Sequence, residues 1–350
     1  MAEPNSSPIK PKRSLREWCK ERGLDLFVTL GGMVAVLLAT VYLHFFAPPS
    51  LTKNTKVVVI PQGKSFHEIA RILEDQGIIR DRWSFYLLAR IEGALSKVKA
   101  GEYEVHTHLT PGAVLSKLLR GEVIQYPIVI PEGYNIFQVG DILEQTKVCS
   151  KKLFLEKVQD PDLIQSLGME GDSLEGYLFP DTYNFPKGLG EEQVIRQMVS
   201  RFKTVWSSLA KRAEMMGLSR RDVVILGSMI EKEARDDQER RFIAAVFHNR
   251  LNRGMALQSD PTAIYGLKEK RSPITRGDLQ RKTPYNTYIL SGLPKGPIAN
   301  PGFKSLQAVL YPAEVSYLYF VSKNDGTHFF SSTLQEHNLA VAKYQRKGKK

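Results

Sequence analysis

The sequence predicts an α+β protein behind a single N-terminal transmembrane helix, with a small α+β domain followed by a larger mixed α+β domain. Three observations carry this reading. An uncharged apolar run occupies Leu26 to Ala47. A strand, a Pro-x-Gly turn and a helix-period pattern then recur between Val57 and about Lys157. Beyond Glu170, long helical patterns alternate with a Gly- and Pro-rich irregular stretch and end on a hairpin and a helix.

Leu26 to Ala47 contain no Asp, Glu, Lys or Arg, and about 20 such residues are what a helix needs to cross a bilayer. Lys10, Lys12, Arg13, Arg16, Lys20 and Arg22 precede the run, and no basic residue follows Leu24 until Lys53. That bias puts the N-terminus in the cytoplasm and the bulk of the chain outside it. Residues 1–23 thus read as a cytoplasmic basic arm, 24–47 as the membrane helix and 48–56 as a linker. Ala47, Pro48 and Pro49 make a poor signal-peptide cleavage site, so the helix reads as a retained anchor in the cell (inner) membrane, in contact with membrane lipid. Of the two cysteines, Cys19 precedes the run and Cys149 follows it, so they cannot pair within one chain. The formal net charge is +12. For an exported chain such a surface suits anionic lipid or an acidic polymer, and nucleic acid is not expected as a partner.

The linker leads to Val57–Ile60, a β-branched strand. Ile60-Pro61-Gln62-Gly63 with Ile72-Leu73-Glu74 matches Ile130-Pro131-Glu132-Gly133 with Ile142-Leu143-Glu144 at the same spacing. Thr110-Pro111-Gly112 followed by Val114, Leu115, Leu118 and Leu119 is a third, degraded unit. The expectation is one repeat domain over 57–160. Such units resemble LysM-like modules, which bind glycans; a plain spacer domain is the alternative.

A second domain is expected over 170–344, with a basic tail over 345–350. It opens with an aromatic, turn-rich segment, Leu174 to Pro186, followed by a helix over about Glu191–Met216 whose apolar residues recur in steps of three and four. Ser219-Arg220-Arg221-Asp222 reads as a capping box starting a helix at about Arg220, with Val223, Leu226, Met229 and Ile230 as its buried stripe. Asp236 with Glu239 reads as a second capping box opening a helix that Gly254 ends. Asp260 before Pro261 reads as an N-cap with proline at the first helical position. Phe303–Leu310 is an expected helix, Tyr317–Val321 and His328–Ser331 an expected hairpin, and Thr333–Tyr344 a helix capped by Thr333 and Glu336.

Two glutamates close the Arg220 helix. At about 100° per residue, Glu231 and Glu233 point roughly 200° apart and cannot act as a side-by-side pair. Glu233 falls in the apolar stripe, where lost hydration raises a carboxyl's pKa and suits it to general-acid work. The pattern leaves open a structural ion pair with Arg235, Arg240 or Arg241. The histidines are scattered, and His106-x-His108 has no Glu or Cys cluster beside it, so neither metal nor other cofactor is expected.

Ile230-Glu231-Lys232-Glu233-Ala234, Val246-Phe247-His248-Asn249-Arg250-Leu251, Gly254 to Thr262, Tyr285-Asn286-Thr287-Tyr288, Gly292-Leu293-Pro294 and Leu318-Tyr319-Phe320-Val321 stand in one order. In that order, and with Glu175-Gly176-Tyr177 and Phe179-Pro180-Asp181-Thr182-Tyr183 before them, the chain resembles the MltG-type (YceG-like) endolytic murein transglycosylases. The resemblance implies cleavage of the β-1,4 bond between N-acetylmuramic acid and N-acetylglucosamine in nascent peptidoglycan strands, leaving 1,6-anhydro ends. It also implies a place near the peptidoglycan synthesis machinery. The family's catalytic glutamate, the second of its Glu-x-Glu pair, maps to Glu233. Gln258, Asp260, Tyr285, Asn286 and Tyr288 are the expected substrate-binding residues, and Asp260 or Glu231 would be the second carboxylate of a rival hydrolase. A non-catalytic wall-binding scaffold is the further alternative. His248 and Ser259 stand where the family pattern tends to carry other residues.

Overall fold

The computed structural model describes residues 15–267 and 274–345, with side chains from residue 25 onward. The arm expected over 1–23 lies outside the described residues as far as residue 14, and the basic tail does so from residue 346. Helix α1, Leu15–Phe45, begins inside the expected arm; its segment Asp25–Phe45 is long and apolar enough to cross a membrane. It stops short of the expected boundary at residue 47, because a residue before proline is disfavoured in helical conformation and Pro48 follows Ala47. The chain then forms two compact units, one ending at Ile124 and one starting at Gln125.

The smaller unit contains β1 (Thr55–Ile60), α2 (Phe66–Asp75), α3 (Arg82–Ile91), β2 (Gly101–His106) and α4 (Pro111–Arg120). β1 and β2 pair antiparallel with Val58 opposite Tyr103. Val58, Ile60, Leu73, Phe85, Tyr103 and Leu115 fill the core. The Pro-x-Gly turn works because Gly63 takes φ +79°, a left-handed conformation that costs glycine least. Ser65 and Glu68 then close a capping box on α2.

The larger unit opens with β3 (Tyr126–Val129), α5 (Ile136–Gln145), α6 (Lys151–Lys157), α7 (Pro161–Ser166) and β4 (Thr182–Phe185). Here the repeat is visible again, with Gly133 at φ +75° and an Asn135–Gln138 capping box on α5. Yet this block does not share the core of the first, so the single domain expected over 57–160 is divided. β3 pairs with β4, Ile128 opposite Tyr183, and Ile130, Val139 and Leu143 pack in the same core as the helices that follow. A repeated turn and cap report local backbone chemistry; which core a helix joins is decided by its strand's partner.

Next come α8 (Glu191–Met215), α9 (Arg220–Glu233), a 3₁₀ turn (Asp237–Glu239), α10 (Arg240–Asn252), α11 (Asp260–Ile264), α12 (Arg276–Leu279) and α13 (Phe303–Leu310). β5 (Tyr319–Ser322), β6 (His328–Ser331) and α14 (Leu334–Tyr344) end the unit. Ser219 and Asp222 form the expected capping box on α9. All residues from Val223 to Ile230 are buried, so α9 runs through the middle of the unit and has no single apolar stripe. α13 packs along it. Two caps differ from expectation. Asp236 caps the short 3₁₀ turn, whereas Glu239 is turned to the hairpin and accepts the His328 N–H at 2.8 Å and its Nδ1 at 2.7 Å. Ser259, one residue early, holds the N-cap position of α11, so Asp260 falls in the first turn with its carboxylate free to reach another segment.

Candidate active site

Glu233 is the last residue of α9. Ala234 leaves helical geometry at ψ 125° while its N–H still reaches the Ile230 carbonyl at 2.9 Å. A carboxyl at this end faces the helix's unpaired carbonyls, which disfavour its ionised form. Ser259 Oγ donates to Glu233 Oε1 at 2.6 Å, and among the described residues no Lys or Arg forms an ion pair with it. Protein encloses the carboxyl, although part of the side chain remains open to solvent. Burial pushes its pKa up to about 7, against the pull of the Ser259 bond and with help from the Asp260 charge.

Glu231 is handled oppositely. Arg240 Nη1 donates to its Oε1 at 3.0 Å and the Gly302 N–H to its Oε2 at 3.0 Å. With the glutamate 6% and the arginine 8% exposed, this is a buried structural ion pair. Arg240, one of the arginines that the sequence left open as partner to Glu233, is therefore spent on its neighbour.

The Gln258–Asp260 segment brings the other groups to Glu233. Gln258 has φ +51°, rare for a residue with a side chain, and its N–H donates to the Thr287 carbonyl at 3.1 Å. The Ser259 N–H donates to Thr287 Oγ1 at 3.0 Å, and Thr262 Oγ1 donates to the Ser259 carbonyl at 2.6 Å. These buried hydroxyls fix where Ser259 stands. Arg250 adds a clamp. Its guanidinium donates to the Leu318, Ala256 and Leu257 carbonyls at 2.6, 3.1 and 2.9 Å and to Gln258 Oε1 at 3.2 Å.

The expected substrate-binding residues separate into two groups. Tyr288 belongs beside Glu233: its hydroxyl donates to Asp260 Oδ1 at 2.5 Å, and burial, with the Asp260 and Glu233 charges, keeps it protonated far above its ordinary range. Gln258 and Asp260 are exposed at the same place. Asn286 is fully buried; its amide donates to the Leu279 and Arg281 carbonyls at 3.0 and 2.8 Å and its Oδ1 accepts from the Tyr288 N–H at 3.0 Å. Its side chain is thus turned inward to shape the loop.

Tyr285 lies elsewhere, 4.6 Å from the Tyr265 ring, and the Tyr265 hydroxyl donates to Glu175 at 2.7 Å. Glu175 is a second buried carboxyl. It accepts both the Ile136 N–H at the start of α5 and the Asn300 amide at 3.2 Å. Burial lifts its pKa to about 7 against those bonds. Asn300 Oδ1 in turn accepts the Gly176 and Leu178 N–H groups at 2.9 and 3.0 Å. This cluster ties the aromatic turn to α5 and to the loop before α13. Sequence reasoning missed Ser259, Arg250, Thr262 and Thr287. All four stand inside the segments on which the family resemblance rests, but the sequence assigns no role to any of them. Among the described residues no three His, Cys, Asp or Glu side chains gather as a metal site.

One recessed carboxyl without a cation, a hydroxyl donor on it and a second carboxylate close by define a site for carboxyl-based acid–base chemistry. The chain belongs to the YceG-like family, whose model matches residues 58–343. A protein of Bacillus subtilis named endolytic murein transglycosylase is 33% identical over 309 residues, covering 84% of this chain and 86% of that one. A Streptococcus pneumoniae protein of the same name is 28% identical over 325 residues, covering 84% of this chain and 59% of that one. The crystal structure of a putative YceG-like protein from Listeria monocytogenes covers 83% of this chain and 100% of its own at 34% identity, with a TM-score of 0.58.

Proposed function

We propose that this protein is an endolytic peptidoglycan lytic transglycosylase with Glu233 as its general acid and base. The observation that carries the reading is a carboxyl that burial keeps about half protonated at neutral pH, with no Lys or Arg paired to it among the described residues. The names of the relatives supply the substrate class. In the reaction, Glu233 protonates the oxygen leaving the MurNAc–GlcNAc bond. The resulting carboxylate then takes the proton of the muramyl 6-hydroxyl as that oxygen closes on the anomeric carbon, so one residue returns to its starting state and no water is consumed. Ser259 positions the carboxyl and supports its transient ionised form. Gln258, Tyr288 and Asp260 are the groups offered to sugar hydroxyls. Tyr285 remains a candidate for a more distant part of the strand.

A hydrolase is the second reading, and one observation favours it: the Asp260 charge is close enough to act on Glu233. Glu231 is unsuited to that part because Arg240 and Gly302 occupy its oxygens. On the anchored reading, α1 crosses the membrane with the N-terminus inside, the glycan-cutting unit acts outside near newly made strands and the synthesis machinery, and cutting limits strand elongation. The LysM-like resemblance adds glycan contact by the smaller unit. The test of the acid is the pH profile. Cleavage is expected to follow the protonated fraction of Glu233, holding below pH about 7 and falling by roughly tenfold per pH unit above it. A rate that stays flat or rises through that range refutes the assignment.

A further inference from the structure

Helix α3 has one side that its own unit leaves largely open, met there by the His67 ring edge-on to Trp83 at 5.5 Å. Phe85 and Ala89 close the small core, while Trp83, Leu87 and Ile91, four residues apart and so on one strip of the helix, are 59%, 47% and 73% exposed. Arginines border the strip. The Arg82 guanidinium lies 5.5 Å above the Trp83 ring, and Arg90 is exposed on the same helix.

This strip is fastened to the exit of α1. Arg80, just before α3, donates from Nε and Nη2 to the Pro48 carbonyl at 3.2 and 2.9 Å, and the end of α1 packs against α3. The candidate span Asp25–Phe45 has 21 residues, and at ~1.5 Å per residue that is about the ~30 Å of a bilayer's hydrocarbon core. Phe45 therefore marks the interface, and α3, though far along the chain, packs against that end of α1. Tyr42, stacked on Phe46 at 6.3 Å on the same end, is a residue type that settles at headgroup level, as are tryptophan and arginine.

We propose that α3 lies in the plane of the outer membrane surface as a second lipid contact, with Trp83, Leu87 and Ile91 among the upper acyl chains and Arg82 and Arg90 on anionic headgroup phosphates. The occupant is lipid because the strip is continuous with the anchor: once α1 is inserted, the bilayer surface is the apolar phase always within its reach. A guanidinium fork matches phosphate oxygens and an indole tolerates the wet boundary, so the composition fits that phase. The contact would hold the smaller unit at the membrane instead of letting it swing on the linker. The inference rests on the anchored reading of α1.

The full chain carrying Trp18→Phe and Trp206→Phe keeps Trp83 as its reporter. Reconstituted in phosphatidylglycerol–phosphatidylcholine vesicles, it is expected to lose most of its emission when the lipids carry bromine on the upper acyl chain, and to be shielded from aqueous acrylamide. Adding Arg82→Gln and Arg90→Gln is expected to weaken the bromine quenching chiefly in the anionic vesicles. Trp83 that ignores the brominated lipid and stays open to acrylamide, in protein resistant to alkaline extraction, overturns the docking while the anchor stands. Shielding that instead tracks protein concentration in detergent assigns the strip to a second copy and also overturns it. Protein extracted by alkali overturns the anchor, and the docking with it.

Discussion

Glu233→Gln tests the electrostatics of the site as well as its chemistry. The wild-type carboxyl ionises at about 7 in the folded state instead of 4.5. Between those values the folded chain binds a proton that the unfolded chain has released, so stability falls as pH rises through that window. At ~1.4 kcal/mol per pH unit, the loss attributable to Glu233 reaches about 3 kcal/mol at and above neutrality. Glutamine keeps the shape and an acceptor for Ser259 Oγ but cannot ionise. The variant is therefore expected to match the wild type below pH about 4.5 and to exceed it in stability increasingly up to neutral pH. For a unit of this size, about 3 kcal/mol corresponds to a melting temperature higher by roughly 6–12 °C. Thermal unfolding of both proteins across pH, taking their difference, isolates Glu233 from Glu175, whose folded-state pKa moves in the same direction. Cleavage of glycan by the variant is expected to vanish. A melting difference that does not grow between acid and neutral pH refutes the buried-carboxyl argument, and continued cleavage by the folded variant removes Glu233 from the mechanism.

Ser259→Ala deletes a bond to the ionised carboxylate worth ~1 kcal/mol, which raises the Glu233 pKa and moves the alkaline fall of the rate upward by somewhat less than one pH unit. An unmoved profile measured over that range would show that the contact is incidental. Glu231→Ala leaves the buried Arg240 guanidinium without its main counter-charge and is expected to lower unfolding stability by about 3 kcal/mol. Below its melting point that variant is expected to keep the wild-type product ends, and a fully stable but inactive Glu231→Ala would exchange the roles of the two glutamates. A form starting near Leu51, without α1, is expected to cut glycan in solution; its inactivity when folded would mean that the anchor helps to build the enzyme.

The elements most legible in the sequence are those whose signal is local. Ser219 with Asp222, Thr333 with Glu336 and Gly63 each report a cap or turn that a few neighbouring atoms determine, and the structure has each of them. The second repeat block was legible as strand, turn and helix but not as part of the larger unit, because its strand pairs with Thr182–Phe185 and only that distant match sets its core. Helical geometry separated Glu231 from Glu233 by direction. What distinguishes their environments is Arg240, nine positions after one and turned from the other by the chain's reversal through Asp237–Glu239. Ser259 and Arg250 were illegible because serine and arginine in a loop and on a helix carry no period. They matter through Thr287 and Leu318, far along the chain. The site is thus assembled from one helix end that the sequence marks and a loop whose shape only long-range hydrogen bonds determine.

The most direct test is digestion of nascent, uncrosslinked glycan by the wild-type protein in heavy-oxygen water, with mass analysis of the new muramyl ends. A single acid that hands its proton back and forth, with the sugar's own 6-hydroxyl as nucleophile, gives 1,6-anhydro ends lighter by one water and free of label. Reducing ends carrying heavy oxygen would contradict it and would bring Asp260 forward as a second catalytic carboxylate.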